Sequence, residues 1–315
     1  MENDWGEVRT DLALEANELA FQRTGGRIPG VISQNEQKGP AQVSRVTVQT
    51  VEAGRALGKQ PGYYVTIEST ALRGRDKDEL EEVAKVIAGE IRGYLRGLGI
   101  GDQVPALVVG LGNWNATPDA LGPKVVELVL VTRHLWRHSP PEKRGGLRPV
   151  CAVSPGVLGI TGLETGEIVA GIVQKVRPGF LLVIDALASR STERLGAAVQ
   201  LADTGIQPGS GIGNRRLGIT ASSLGLPVIA LGVPTVVEAT TIIHDALEQL
   251  GGDGRQPGLR TGVLQQALPQ YVRRLIVTPK EIDVLIQDLS RALAGSINIA
   301  LHPGVTPEEV FRYLD

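Results

Sequence analysis

Apolar side chains recur at steps of three and four residues across residues 76–98, which is the spacing of an amphipathic helix. The repeating positions are Leu80, Val83, Ala84, Ile87, Ile91 and Leu95. Two shorter apolar segments, residues 43–51 and 63–69, are typical of strands. Residues 24–42 are rich in Gly, Pro, Ser, Asn and Gln without a regular period, which favours a loop.

From residue 104 onward, apolar strand patterns alternate with helix patterns. The predicted strands are residues 104–110, 150–153, 180–184 and 227–232, and the predicted helices are residues 118–138, 163–176, 235–250, 280–300 and 307–313. Such alternation predicts a single α/β domain, built on a largely parallel, twisted sheet with helices on both faces. Residues 251–273 break the pattern, and we expect a loop-rich excursion there.

Composition narrows the function classes. The net charge of -2 gives no excess of Lys and Arg for binding phosphates, so direct nucleic-acid binding is not expected. No run reaches about 18 apolar residues and the acidic start lacks signal-peptide features, so neither membrane spanning nor secretion is expected. Cys151 is the single cysteine, which rules out an internal disulfide and favours a cytoplasmic location.

Two aspartates follow predicted strands, where functional sites of α/β proteins collect. Asp119 comes after the strand at 104–110, with Thr117 placed to cap a helix and Pro118 in its first turn. Asp185 ends the apolar run of the strand at 180–184. Two carboxyl groups in different surroundings can form an acid–base pair. Helix capping and a loop hydrogen bond are the structural alternatives.

Other polar motifs are less specific. Asp203 opens an Asp-Thr-Gly tripeptide, but it occurs once in a βα pattern, which favours a tight turn over a pepsin-like site. The glycine-rich segment 209–213, with Ser210, favours a substrate-lining loop over a dinucleotide site. Arg190 and Glu193, shortly after Asp185, are further candidates for substrate contacts.

Metal and nucleophile motifs are incomplete. His134 and His138 have the spacing of a zinc helix but lack the glutamate that follows the first histidine. Cys151 lies near a strand end, where a small buried residue is the commoner role. We therefore expect no metal and no cofactor.

Several longer segments resemble the spore germination protease family of endospore-forming bacteria. They are residues 8–13 (VRTDLA), 109–123, 155–166, 184–194, 203–211, 232–236, 277–282 and 298–302. Together they cover nearly the whole chain.

The resemblance implies an endopeptidase that starts degradation of small acid-soluble spore proteins during germination, in the cytoplasm of the forespore and the spore core. It implies an inactive homotetrameric precursor, with a fold like that of hydrogenase-maturation peptidases. Self-cleavage between Asp11 and Leu12 would remove residues 1–11 as a propeptide and leave residues 12–315 as the protease domain. The family's essential aspartates correspond to Asp119 and Asp185.

Two alternatives stay open at this stage. The first is a metal-dependent peptidase of the maturation type, and the second is a catalytically degenerate homologue that serves as a spore binding or structural protein. The first would need histidines near the aspartates, and neither aspartate has one beside it in sequence. Retention of both aspartates and of the segment around Asp11 argues against the second.

Overall fold

The computed structural model describes residues 10–74, 76–138, 140, 144–206, 218–250, 268–269, 271–272 and 275–314. Within them, nine strands join one sheet. The strands are β1 (Val31–Lys38), β2 (Ala41–Val48), β3 (Gly62–Glu68), β4 (Ala106–Gly110), β5 (Val150–Val153), β6 (Phe180–Ser189), β7 (Ala198–Ala202), β8 (Val228–Glu238) and β9 (Ile276–Val277).

Helices cover both faces of this sheet. They are α1 (Ala13–Thr24), α2 (Val51–Leu57), α3 (Lys77–Gly97), α4 (Leu121–Leu128), α5 (Arg133–His138), α6 (Leu158–Thr161), α7 (Thr165–Val176), α8 (Ala221–Leu224), α9 (Ala239–Leu250), α10 (Ile282–Leu301) and α11 (Pro307–Leu314). One face packs against α3, α4 and α10, and the other against α1, α2 and α7. The predicted α/β class with helices on both faces is confirmed.

The sheet order is β1-β2-β3-β7-β8-β6-β4-β5, with β9 on the end of β8. Strands β5, β4, β6 and β8 pair in parallel. The half from β8 through β7 to β1 is antiparallel. The parallel sheet expected from the βα alternation therefore forms the core, and an antiparallel half extends it.

Helix α3 confirms the amphipathic helix predicted over residues 76–98. The carboxylate of Asp76 accepts hydrogen bonds from the main-chain amides of Asp78 and Glu79 at 3.0 and 3.2 Å, which caps the first turn. The apolar positions of the repeat are buried in the main core. Local capping and tertiary burial here favour the same structure.

The prediction of one helix over residues 118–138 is wrong, because the structure has two helices there, α4 and α5, separated by a non-helical stretch. The main-chain amide of Leu130 donates to the side-chain oxygen of Asn298 at 2.8 Å. That of Thr132 donates to the carbonyl of Val150 at 2.9 Å. Bonds to neighbouring elements thus replace helical bonds in this stretch.

Strand lengths were also underestimated. Strand β6 runs five residues past the predicted end at Ile184, and β8 runs to Glu238, because the two extensions pair with each other. Residues 235–238 therefore belong to β8, and not to the helix predicted to begin at 235. Strand β1 lies in a predicted loop and is exposed on both faces, so its sequence carries no apolar alternation. The predicted excursion at 251–273 lies almost wholly outside the described residues.

Candidate active site

Three glycines let the start of α4 pack against the end of β4. A Cβ atom on Gly110 would lie 2.1 Å from the carbonyl oxygen of Gly122, so these two main chains touch. Gly112 has a φ of 121°, and a Cβ there would lie 1.9 Å from the carbonyl oxygen of Asp119. The main-chain amide of Asn113 donates to that same oxygen at 3.1 Å. The glycines therefore hold Asp119 over the carboxyl end of β4.

Asp119 closes a one-turn 3-10 helix that precedes α4. The expected capping role of Thr117 is wrong, because Thr117 is the first residue of this turn and Ala116 flanks it without a side-chain cap. Pro118 lies in the first turn, as expected. The Asp119 side chain is half-buried.

Asp185 lies inside β6, and the expectation that it ends its own strand is wrong. The strand continues to Ser189 beside β8, but β4 stops at Gly110, which is the partner of Ile184. Asp185 thus lies one residue beyond the end of β4. Its side chain is 8% exposed, and its Oδ1 accepts a hydrogen bond from the main-chain amide of Ala186 at 2.9 Å.

One hydrogen bond connects the segments that carry the two aspartates. The main-chain amide of Leu111 donates to the carbonyl of Ile184 at 2.8 Å, which extends the β4–β6 ladder into the loop after β4. The 3-10 turn that ends at Asp119 also contacts β6 and β8. The structure therefore brings Asp119 and Asp185 to the same end of the sheet.

The N-terminal segment crosses the face of the sheet that carries Asp185. The main-chain amide of Asp11 donates to the carbonyl of Ala188 at 3.0 Å, and the amide of Ala188 donates to the Asp11 carboxylate at 2.8 Å. Leu12 is fully buried and packs with Leu187 and Ala198. Leu187 lies two residues after Asp185 on β6, so the two side chains point to the same face.

Two side chains that sequence reasoning missed contact the peptide between Asp11 and Leu12. Lys59 Nζ donates to the carbonyl oxygen of Asp11 at 2.8 Å, and Gln200 Nε2 donates to it at 2.9 Å. Lys59 is half-buried, and its loss of water contact lowers the pKa of its ammonium. Neither residue belongs to a recognisable motif, so no signal in the sequence could have found them.

Glu15, also missed, fixes helix α1 to the loop after β6. Its buried carboxylate accepts hydrogen bonds from the main-chain amides of Arg190 and Ser191 at 2.7 and 3.0 Å. The predicted candidate Arg190 therefore contacts α1, and its guanidinium also pairs with Asp245 at 3.3 Å. Glu193 is exposed in the same loop, where its carbonyl accepts a hydrogen bond from Arg73.

Asp203 lies away from the other aspartates. It follows β7, which runs antiparallel to β8, so it is at the opposite end of the sheet from Asp119. Its Oδ1 accepts a hydrogen bond from the main-chain amide of Tyr63 at 2.8 Å, and burial raises the pKa of its carboxyl. These contacts tie β7 to β3, as expected of a turn. Ser210 lies outside the described residues.

The remaining candidates are dispersed. Burial raises the pKa of the Cys151 thiol, whose sulfur lies 3.5 Å from the carbonyl oxygen of Ala106. In the part of the chain that the structure describes, no three His, Cys, Asp or Glu side chains are grouped as metal ligands would be. None of the helices in that part is long and apolar enough to cross a bilayer.

Among solved structures, the chain is similar to the [NiFe] hydrogenase maturation protease HycI from Thermococcus kodakarensis KOD1. The two share 15% sequence identity, over 66% of this chain and 98% of that chain, with a TM-score of 0.32. A likeness at this level carries no argument about the site.

Comparison with curated proteins gives much closer relatives, each named a germination protease. The protein of Caldanaerobacter subterraneus subsp. tengcongensis is 46% identical and matches over 98% of both chains. That of Clostridium tetani is 41% identical over 98% of this chain and 99% of its own. That of Priestia megaterium is 38% identical over 97% and 96%. The model of the germination protease family matches residues 9–256. The chain therefore belongs to the germination protease family.

Proposed function

We propose that this protease is a self-processing endopeptidase that initiates degradation of small acid-soluble spore proteins, with Asp119 and Asp185 as its catalytic pair. It is made as a homotetrameric precursor in the forespore, and cleavage between Asp11 and Leu12 releases residues 1–11. One observation carries the proposal: the peptide between Asp11 and Leu12 lies on the face of the sheet that bears Asp185.

The chemistry needs two carboxyl groups in different states. One carboxylate takes a proton from water as the water oxygen adds to the carbonyl carbon of Asp11. The other, protonated, gives its proton to the nitrogen of Leu12 as the C–N bond breaks. Asp185 is buried on β6 whereas Asp119 is half-buried in a turn, so the two carboxyl groups have the unlike surroundings that such a division requires.

Asp11 and Leu12 lie in a binding position formed by Leu187, Ala188, Ala198 and Ile206, which we call the seat of the N-terminal segment. These contacts support a preference for an acidic residue before the cleaved bond and an apolar residue after it. The Asp11 carboxylate accepts the main-chain amide of Ala188, a contact available to any carboxylate of suitable reach. Leu12 fills an apolar space beside Leu187, Ala198 and Ile206. Substrate peptides of the same pattern fit the same seat.

The test is cleavage of a small acid-soluble spore protein by a form that begins at Leu12. Asp119→Asn and Asp185→Asn should each abolish cleavage in a folded protein, whereas Asp283→Asn, exposed on α10, should leave it unchanged. Cleavage that survives both changes would contradict the aspartate pair. Loss of cleavage with a chelator would favour the metal-dependent alternative, and loss with a thiol blocker would point to Cys151.

Self-processing is tested separately on the full chain. Incubation at mildly acidic pH without added protease should remove the mass of residues 1–11, and neither aspartate variant should show this loss. An unchanged mass in the unsubstituted chain, together with no cleavage of spore proteins, would favour the non-enzymatic alternative.

A further inference from the structure

The carbonyl oxygen of Asp11 accepts two side-chain hydrogen bonds at once. Lys59 Nζ lies 2.8 Å from this oxygen and Gln200 Nε2 lies 2.9 Å from it. A carbonyl oxygen has two lone pairs, so this pair of donors satisfies it completely. Main-chain carbonyls more often bond to main-chain amides, and this one belongs to the peptide that the proposed self-cleavage would break.

The orientation of the Gln200 side chain is fixed by its second partner. Its Oε1 accepts the main-chain amide of Ala13 at 2.6 Å. Because an amide N–H can only donate, the atom facing Ala13 must be the oxygen, and the NH₂ group must face the carbonyl of Asp11. Gln200 is buried, and it bonds to the main chain on both sides of Leu12.

Lys59 places a positive charge at the same oxygen. Its two hydrogen bonds go to main-chain carbonyls, those of Thr10 and Asp11, at 3.0 and 2.8 Å. Burial lowers the pKa of the ammonium, while the charges of Asp11 and Glu15 act in the opposite direction. Removing a cation from water costs free energy, and a hydrogen bond to a neutral carbonyl recovers little of it. The same cation interacts much more strongly with a carbonyl oxygen that acquires negative charge during the reaction.

Sheet register puts Gln200 on the same face of the sheet as Asp185. Gly232 of β8 is the partner of Asp185 on one side and of Gln200 on the other. The side chains of Asp185 and Gln200 therefore share one face, with their Cα atoms ~10 Å apart across two strand spacings. Gly232 has no side chain, and the Leu187 side chain fills the space above it, since a Cβ built there would lie 2.6 Å from Leu187 Cγ. Leu12 of the N-terminal segment packs on this same leucine.

We propose that Lys59 and Gln200 are the carbonyl-binding pair of the cleavage reaction, for the N-terminal segment and for substrate peptides in the same seat. Addition of water to the carbonyl carbon turns its oxygen into an oxyanion, which the two preplaced donors stabilise until the C–N bond breaks. This inference rests on the proposed cleavage between Asp11 and Leu12.

The alternative is that Lys59 and Gln200 only anchor the N-terminal segment and take no part in cleavage. A form that begins at Leu12 separates the two roles, because the Asp11 carbonyl is then absent. In that form, Lys59→Met and Gln200→Glu should each lower kcat for a spore-protein substrate by about 10² to 10³, with a much smaller change in KM. Gln200→Glu keeps an acceptor for Ala13 but loses the donor. Lys59→Arg keeps the cation and should retain part of the rate.

Lys85→Met, a change at a half-buried lysine of α3 that pairs with Glu82, is the matched control and should cleave at the unsubstituted rate. Circular dichroism and thermal unfolding establish that each variant is folded. Unchanged kcat in folded Lys59→Met and Gln200→Glu would overturn the inference, even if both changes slowed self-cleavage of the full chain. If the unsubstituted form cleaves nothing, the proposed function fails first, and that outcome is distinguishable from loss in the variants alone.

Discussion

Asp11 and Ala188 exchange two hydrogen bonds, one between main chains at 3.0 Å and one from the amide of Ala188 to the Asp11 carboxylate at 2.8 Å. The exchange resembles a strand pairing of a single residue, and it holds the segment against β6 three residues beyond Asp185. The N-terminal segment is thus an integral part of the folded chain, and its anchoring residues are open to separate tests.

Leu12→Ala should cost about 2–5 kcal/mol of unfolding free energy, because a fully buried leucine leaves a cavity beside Leu187 and Ala198. Urea denaturation of the full chain measures it. Leu98→Ala, at an exposed leucine, should cost less than about 0.5 kcal/mol. Equal losses in the two variants would show that Leu12 is not seated as described.

Glu15→Gln should cost about 1–3 kcal/mol, because the main-chain amides of Arg190 and Ser191 bond to different oxygens of the buried carboxylate. Glutamine has one acceptor oxygen, so one of these amides would face an NH₂ group that cannot accept. Limited proteolysis near residue 12 should also become faster as α1 loosens. Glu18→Gln on the same helix is exposed and should cost less than about 1 kcal/mol. A larger loss for Glu18 than for Glu15 would contradict the assignment.

Gly112→Ala should displace Asp119, since the new Cβ would lie 1.9 Å from the Asp119 carbonyl oxygen at a φ that favours glycine. We expect cleavage of a spore protein to be lost well below the temperature at which the variant unfolds. Gly89→Ala, in helix α3 with open space around it, should keep full activity. Full activity in Gly112→Ala would mean that the turn does not fix Asp119.

His302 should make the fold sensitive to acid. Its Nδ1 accepts the main-chain amide of Arg148 at 3.3 Å and its Nε2 contacts the carbonyl oxygen of Leu130 at 3.0 Å, which favours the neutral ring. Burial lowers the pKa of this imidazole below 6.5, against the effect of the bond to Leu130, and the Arg148 charge lowers it further. The unfolded chain therefore binds a proton that the folded chain does not.

The stabilising contribution of His302 is thus complete above pH 6.5 and declines as the pH falls toward the lower folded pKa. Urea denaturation on both sides of this value measures the decline. His302→Gln should decline less steeply with acid, and His134→Gln, at an exposed histidine of α5, should follow the unsubstituted chain. Identical slopes in all three proteins would contradict the assignment.

The local sequence pattern was sufficient to predict a helix or strand where the spacing of apolar residues agreed with their burial in the folded protein. Helix α3 follows from apolar periodicity, because it has one buried face. The central parallel strands β4 and β6 follow from continuous apolar runs, because they are buried on both faces. The pattern failed at β1, which is exposed on both faces, and at the carboxyl end of β6. There the pairing with β8 extends the strand through Asp185, a residue that by itself favours a strand end.

The sequence by itself determined the fold class, the family and the placement of Asp119 and Asp185 after apolar strands. Only the tertiary structure decided what surrounds the Asp11–Leu12 peptide. Lys59 follows α2 and Gln200 lies on β7, so their meeting at one carbonyl depends on strand order and register. Strand register is a long-range property, because it is set by the packing of the whole sheet, and no local pattern of residues encodes it.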